Sequence, residues 1–99
     1  MIKRIVLMEL PSEKEALFLD IFDHAKDEIR SQKGCMGLEL LKNNEHGKSI
    51  LCTISFWNSE TDLENYRSSD LFQSTWAAVK PLFSDRARAW TLKPVETLA

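Results

Sequence analysis

The chain reads as an α+β domain with the element order β-α-β-β-α-β, and three observations predict it. Two aliphatic, β-branched stretches, residues 2–10 and roughly 49–57, each run into a helix start of S-x-x-[DE] spacing, Ser12 to Glu15 and Ser59 to Asp62. Between them lies an apolar stripe at helical period: Phe18, Ile21, Phe22, Ala25 and Ile29. A polar run at 43–47 joins a further strand-like segment, 35–42, to the 49–57 stretch as the loop of a β-hairpin. This order is the ferredoxin-like arrangement, a four-stranded antiparallel sheet with helices on one face.

The elements follow in turn. Strand one occupies residues 2–10, and helix one spans 13–32 with Asp20, Asp23, Lys26, Asp27 and Arg30 on its wet face. Gly34 is placed to end that helix in a left-handed cap. Residues 35–42 form strand two. The second helical region divides: 60–67 is one short helix, Ser68 and Ser69 interrupt it, and Asp70 restarts a helix carrying Leu71, Phe72, Trp76, Val79 and Leu82. Pro81 lacks an N–H and kinks or ends that helix. Residues 87–93 alternate as strand four, and 94–99 read as a C-terminal tail to one domain over 1–99.

The composition removes whole classes of function. A length of 99 residues supports one hydrophobic core. The net charge of -2 leaves no basic excess to neutralise nucleic-acid phosphates. No apolar run approaches the ~20 residues of a membrane helix, and no signal peptide is visible. Cys35 and Cys52 lie in separate predicted strands without metal-ligand spacing, as expected for reduced thiols in a cytoplasmic protein. No nucleophile triad, phosphate loop or metal-ligand cluster is present, so enzyme classes that depend on those are set aside.

Strand one is apolar on both sides, with Ile5 and Leu7 opposite Val6 and Met8. Strand three divides into Cys52, Ile54 and Phe56 on one side and Leu51, Thr53, Ser55 and Trp57 on the other. A sheet apolar on both faces needs two covers. Helices supply one, and a second copy of the chain supplies the other, so a homodimer packed through its sheets is expected. If the Cys52, Ile54 and Phe56 side met the helices, a regular strand would send Trp57 to the dimer side unless a bulge intervened.

Gly34-Cys35-Met36-Gly37, Phe56-Trp57-Asn58-Ser59, Leu63-x-x-Tyr66-x-x-Ser69 and Phe72-x-x-x-Trp76 together resemble the antibiotic biosynthesis monooxygenase domain family over nearly the whole chain. The resemblance implies a dimeric α+β barrel with a pocket in each subunit between sheet and helices. Some relatives oxidise anthrone-like or hydroquinone compounds to quinones without metal or flavin. Others bind and degrade haem, and still others have no demonstrated activity. The resemblance thus implies an oxidoreductase, a cofactor-independent monooxygenase acting on a small aromatic or quinol-like compound. The alternative is a non-catalytic, ligand-binding or sensing barrel of the same shape. Trp57 matches the strand-end tryptophan of the haem-degrading branch, but that branch's iron-ligating histidine falls at Trp76 here. An indole N–H only donates. The branch's strand-one asparagine is also missing from Leu7-Met8-Glu9, which disfavours haem degradation.

Trp57, Tyr66, Phe72 and Trp76 are the expected pocket residues, and Trp57 is also a catalytic candidate as a ring-stacking or oxygen-side donor. Tyr66 takes the place of a histidine found in many quinol-oxidising members; it can donate to an oxyanion but is a poor base. For proton removal the candidates are His24, an imidazole beside the helix-one stripe, and Glu9, an acid in an otherwise apolar strand. Each has a plainer account: a core tryptophan, a packed tyrosine, a surface histidine linked to Glu28, a strand-end carboxylate turned to water.

Overall fold

The computed structural model describes all of residues 1–99. Its elements are β1 (Ile2–Pro11), α1 (Glu15–Arg30), β2 (Cys35–Glu45), β3 (Lys48–Trp57), α2 (Glu60–Arg67), α3 (Asp70–Val79) and β4 (Arg88–Leu92). The strands pair antiparallel in the order β2-β3-β1-β4, so the sheet is four-stranded and ferredoxin-like. No helix is long and apolar enough to cross a membrane.

Local chemistry explains most boundaries. Ser59 caps α2 by accepting from the Asp62 N–H at 3.1 Å, and Ser69 caps α3 by accepting from the Phe72 N–H at 3.1 Å. The Ser68–Ser69 break is therefore a second helix start rather than a kink. Past Val79 the chain tightens into a 3-10 turn, Lys80–Leu82, around Pro81. The hairpin turn is shorter than expected. His46 and Gly47 both take left-handed backbone, φ 50° and 76°, so a two-residue turn lets both strands run to its edge.

Two local expectations are corrected. The Ser12–Glu15 capping box does not form: a 3-10 turn, Ser12–Lys14, precedes α1, and no side chain caps the helix start. The Glu15 carboxylate is engaged elsewhere. It accepts from Ser49 Oγ at 2.6 Å, Asn44 Nδ2 at 2.8 Å and Lys42 Nζ at 3.2 Å, which clamps α1 onto the β2–β3 hairpin. Gly34 does adopt left-handed backbone, φ 82°, but the helix ends earlier, at Ser31, and Gly34 turns the chain into β2.

The clamp carries a pH signature. The hydrogen bonds from Ser49, then Asn44, with Lys42 adding its charge, hold the Glu15 carboxyl down to about 2. A carboxyl depressed in the folded state stabilises the fold above its unfolded value, about 4.3, and that contribution fades as pH falls toward 2. Urea midpoints measured from pH 5 to pH 2 should therefore fall more steeply for the native chain than for Glu15→Gln. Parallel curves would show that the clamp does not couple to folding.

The sheet's two faces differ in fate. Leu51, Ser55 and Trp57 on β3 are buried with Ile2, Met8 and Leu10 on β1 and the helix residues Phe18, Ala25, Ile29, Leu63 and Val79. The helices thus cover the side holding Leu51, Thr53, Ser55 and Trp57. β3 pairs regularly with β1 from end to end, so Trp57 reaches the helix side without a bulge in its own strand. The bulge lies in β2, between Cys35 and Gly37. Cys35 packs with Trp57 in the core while Cys52 has the opposite parity, so the two free thiols sit on opposite faces of the sheet. The uncovered face carries Ile5, Leu7, Ile54 and Phe56, with Leu41, Trp90 and Leu92 each more than 40% exposed.

Candidate functional site

Between sheet and helices lies a cavity of about 280 Å³. Its sheet wall comes from Arg4, Val6 and Met8 of β1, Leu38 of β2, Thr53 and Ser55 of β3, and Ala89 of β4. Its helix wall comes from Phe18 and Phe22 of α1, Tyr66 and Arg67 of α2, and Phe72, Trp76 and Val79 of α3. The period-two pattern of the strands and the 3.6-residue period of the helices bring these side chains to one interior. The two buried clusters, one around Met8, Leu10 and Phe18 and one around Trp57 and Leu63, both contribute to its walls.

An unbroken run of aromatic rings forms one side. Trp57 stacks on Tyr66 with centroids 5.1 Å apart, and Tyr66 meets Phe72 edge-on at 5.3 Å. Phe72 stacks on Trp76 at 6.2 Å, and Trp76 meets Phe83 at 5.5 Å. Such offset and T-shaped contacts are favourable and hold each ring's plane. The Ser68–Ser69 break makes the series possible, because it aims the start of α3 so that Phe72 reaches Tyr66 across the gap.

Of the four expected pocket residues, Tyr66, Phe72 and Trp76 line the cavity. Trp57 lies behind Tyr66, fully buried, with Nε1 donating to Ser55 Oγ at 2.9 Å. It touches the wall rather than the space. Burial, with a smaller contribution from Cys35, pushes the Tyr66 phenol up to about 12, so its hydroxyl stays protonated and acts as a donor.

Neither expected base reaches the cavity, and both placements are corrections. His24 stands on the outer side of α1 in a shallow, open groove with Leu71 and Ala78. Its ring Nδ1 lies 2.7 Å from the Asp20 carbonyl, and that contact, with the Asp20 carboxylate, raises its pKa. The side chain is 77% exposed because it falls beside, not within, the apolar stripe, and it lies four residues beyond Asp20 rather than against Glu28. Glu9 has odd parity on β1, which points it to the uncovered face, where it pairs with Lys48 at 2.8 Å.

The residues missed by sequence reading are Arg4, Arg67, Thr53 and Ser55. Arg4 carried a signal, being a charge at the same parity as Ile2, Val6, Met8 and Leu10. Arg4 Nη1 donates to Thr91 Oγ1 at 2.9 Å, and Arg67 Nη1 to Glu64 Oε1 at 3.1 Å. The polar lining is thus cationic and neutral; no carboxylate, imidazole or thiol belongs to it. No group of three or more His, Cys, Asp or Glu side chains is arranged to hold a metal ion anywhere in the chain.

Fold and cavity together define an α+β domain whose sheet and helices enclose an aromatic-walled space. The chain belongs to the antibiotic biosynthesis monooxygenase family, whose pattern it matches over residues 1–78. No curated protein matches it by sequence. Among solved structures, it is similar to an antibiotic biosynthesis monooxygenase at a TM-score of 0.86 and 14% identity, over 97% of this chain and 100% of that one. A conserved protein from Methanosarcina mazei gives 0.85 at 17% identity, over 93% and 90% of the two chains. A point mutant of SnoaB, a cofactor-independent oxygenase from Streptomyces nogalater, gives 0.80 at 16% identity, over 98% and 96%. At these identities the likeness is one of fold.

Proposed function

We propose that the chain is a cofactor-independent monooxygenase that oxidises a small aromatic or quinol-like compound with dioxygen, and works as a homodimer joined through its uncovered sheet face. The observation carrying the reading is a partly open cavity walled by Tyr66, Phe72 and Trp76 in a member of this family. Family membership and the likeness to a cofactor-independent oxygenase support it.

The chemistry asks little of the protein. A phenolic or enolic ring loses its proton, and the anion passes one electron to dioxygen. The ring radical and superoxide join in a C–O bond, and protonation with loss of water leaves a carbonyl. One dioxygen thereby converts a ring CH₂ to C=O and one water. Tyr66 donates a hydrogen bond to the ring oxyanion, and the apolar walls exclude water. Trp57 acts as a positioning residue by holding the Tyr66 ring.

The dimer reading rests on the uncovered face. Ile5, Leu7, Cys52 and Ile54 form its apolar centre, and Lys3, Arg88, Glu9 and Glu39 place both signs of charge around it. A face with both signs at its rim suits pairing with itself across a two-fold axis.

Oxygen uptake by metal- and flavin-free protein, against a panel of anthrones and hydroquinones, tests the activity. Uptake should exceed autoxidation and fall about 100-fold in Tyr66→Phe, the order lost with one oxyanion donor, while binding persists. Sedimentation at micromolar concentration should show a dimer; a monomer contradicts the pairing.

A non-catalytic sensing barrel is the second reading, and one observation favours it: the cavity holds no side chain able to accept a proton near neutral pH. Absence of uptake across the panel, with a ligand still bound, would select it.

A further inference from the structure

The cavity's charge is unbalanced, and the imbalance points to a ligand class. Two guanidinium groups, Arg4 and Arg67, border an otherwise largely apolar space, and no acidic side chain lines it. Their present partners are weak. Arg4 donates to a neutral hydroxyl, that of Thr91. Arg67 gives one nitrogen to Glu64, whose carboxylate is 61% exposed on the outside of α2. The Arg67 Nε is buried and has no hydrogen-bond partner, the one buried side-chain polar atom in the chain left so. Such an orphaned donor is costly unless something completes it.

The sheet register shows how this end of the cavity is built. Thr91, Arg4, Ser55 and Leu38 lie on one rung across β4, β1, β3 and β2. The next rung is Ala89, Val6, Thr53 and Leu40. Polarity thus changes within one pleat, from an arginine–hydroxyl rung to a mostly apolar one. Arg67, the last residue of α2 and one position after Tyr66, lines the same cavity as Arg4. Partial burial and the neighbouring Arg67 charge depress the Arg4 pKa, with Glu64 opposing the shift, so the two guanidinium groups are close enough to sense each other.

We propose that the cavity binds an aromatic anion: a planar ring against Tyr66, Phe72 and Trp76, with its carboxylate or phenolate oxygen held between Arg4 and Arg67. A guanidinium fork presents paired donors suited to such oxygens. An anion gives the two guanidinium groups that line the cavity a charged acceptor and separates the two cations by a negative charge. The site also answers the lack of a base, since a ring that arrives ionised needs no proton acceptor inside. The inference rests on reading the cavity as a ligand site, but not on turnover.

The test is calorimetric titration with 2-naphthoate and its uncharged isostere 2-naphthamide. The acid should bind about 10- to 100-fold more tightly than the amide, as expected for a hydrogen bond to a charged group. Arg67→Gln and Arg4→Gln should each cut that preference while leaving amide binding and the melting temperature near native. Arg67→Lys should restore part of it, because it returns the charge without the fork. Equal affinity for acid and amide would overturn the proposal, as would a preference that survives in both glutamine variants. Failure of both probes to bind at millimolar concentration would remove the ligand site altogether. Acid preference without oxygen uptake on the panel would uphold this inference and defeat only the monooxygenase reading.

Discussion

Trp57→Ala is expected to destabilise the fold by about 3–5 kcal/mol, the usual cost of removing a buried tryptophan. Domains of this size melt roughly 4–8 °C lower per kcal/mol lost, so the midpoint should drop by roughly 12–40 °C. The reason is position. Trp57 is wholly buried and closes a cluster with Ile2, Cys35 and Leu63, and it supports the Tyr66 ring. It also occupies the partner role for Ser55 Oγ, so its removal leaves a cavity beside an unpaired buried hydroxyl. Trp57→Phe keeps most of the apolar volume and loses the hydrogen bond, so about 1–2 kcal/mol is expected. Calorimetric melts at one fixed protein concentration check both values, since association shifts the midpoint with concentration. A loss under about 1 kcal/mol for Trp57→Ala would show that the cluster collapses around the gap, and that the ring does not anchor the Tyr66 wall.

The same residue shows what the sequence revealed and what it withheld. The strand bearing Trp57 and the capped helix after it were legible, because β-branched residues and the Ser59–Asp62 spacing are local signals. Which face of β3 meets the helices was not. Both parities are apolar, since both faces need cover, so hydrophobicity alone could not choose between Cys52-Ile54-Phe56 and Leu51-Ser55-Trp57. The Ser12–Glu15 box failed for a related reason. Its spacing is local, but Glu15 is claimed by Ser49, 34 positions away, and tertiary partners override a local motif. His24 illustrates the limit at the site. One residue of helical phase, about 100°, separates the buried Ala25 from an exposed neighbour. Arg4 was visible as a charge at core parity, whereas Arg67 sits at the last position of α2 with no such pattern to mark it as lining.

Gly34→Ala should be the most damaging change outside the core, costing about 2–4 kcal/mol. Two effects combine there. Left-handed backbone, φ 82°, costs a residue with a Cβ about 1–2 kcal/mol. A methyl group at this position would also overlap the Asp62 carboxylate. Asp62 cannot withdraw freely, because its N–H is held by the Ser59 cap, a bond worth about 0.5–2 kcal/mol. The Gly34 carbonyl also accepts from Asn58 N–H at 2.8 Å, so a shift of the turn would loosen the end of β3 instead. Gly47 provides the control. It too is left-handed, φ 76°, but a Cβ there meets nothing within 4 Å, so Gly47→Ala should show the backbone cost alone. The difference between the two variants in urea midpoint, multiplied by the common slope, isolates the contact with Asp62. Asp62→Ala should not rescue Gly34→Ala, because the Asp62 Cβ itself lies 2.5 Å from the added methyl group. Equal losses at Gly34 and Gly47 would mean that the start of α2 yields easily. The Ser59 cap would then not fix the approach of α2 to the sheet, and with it the placement of Tyr66 and Arg67 over the cavity.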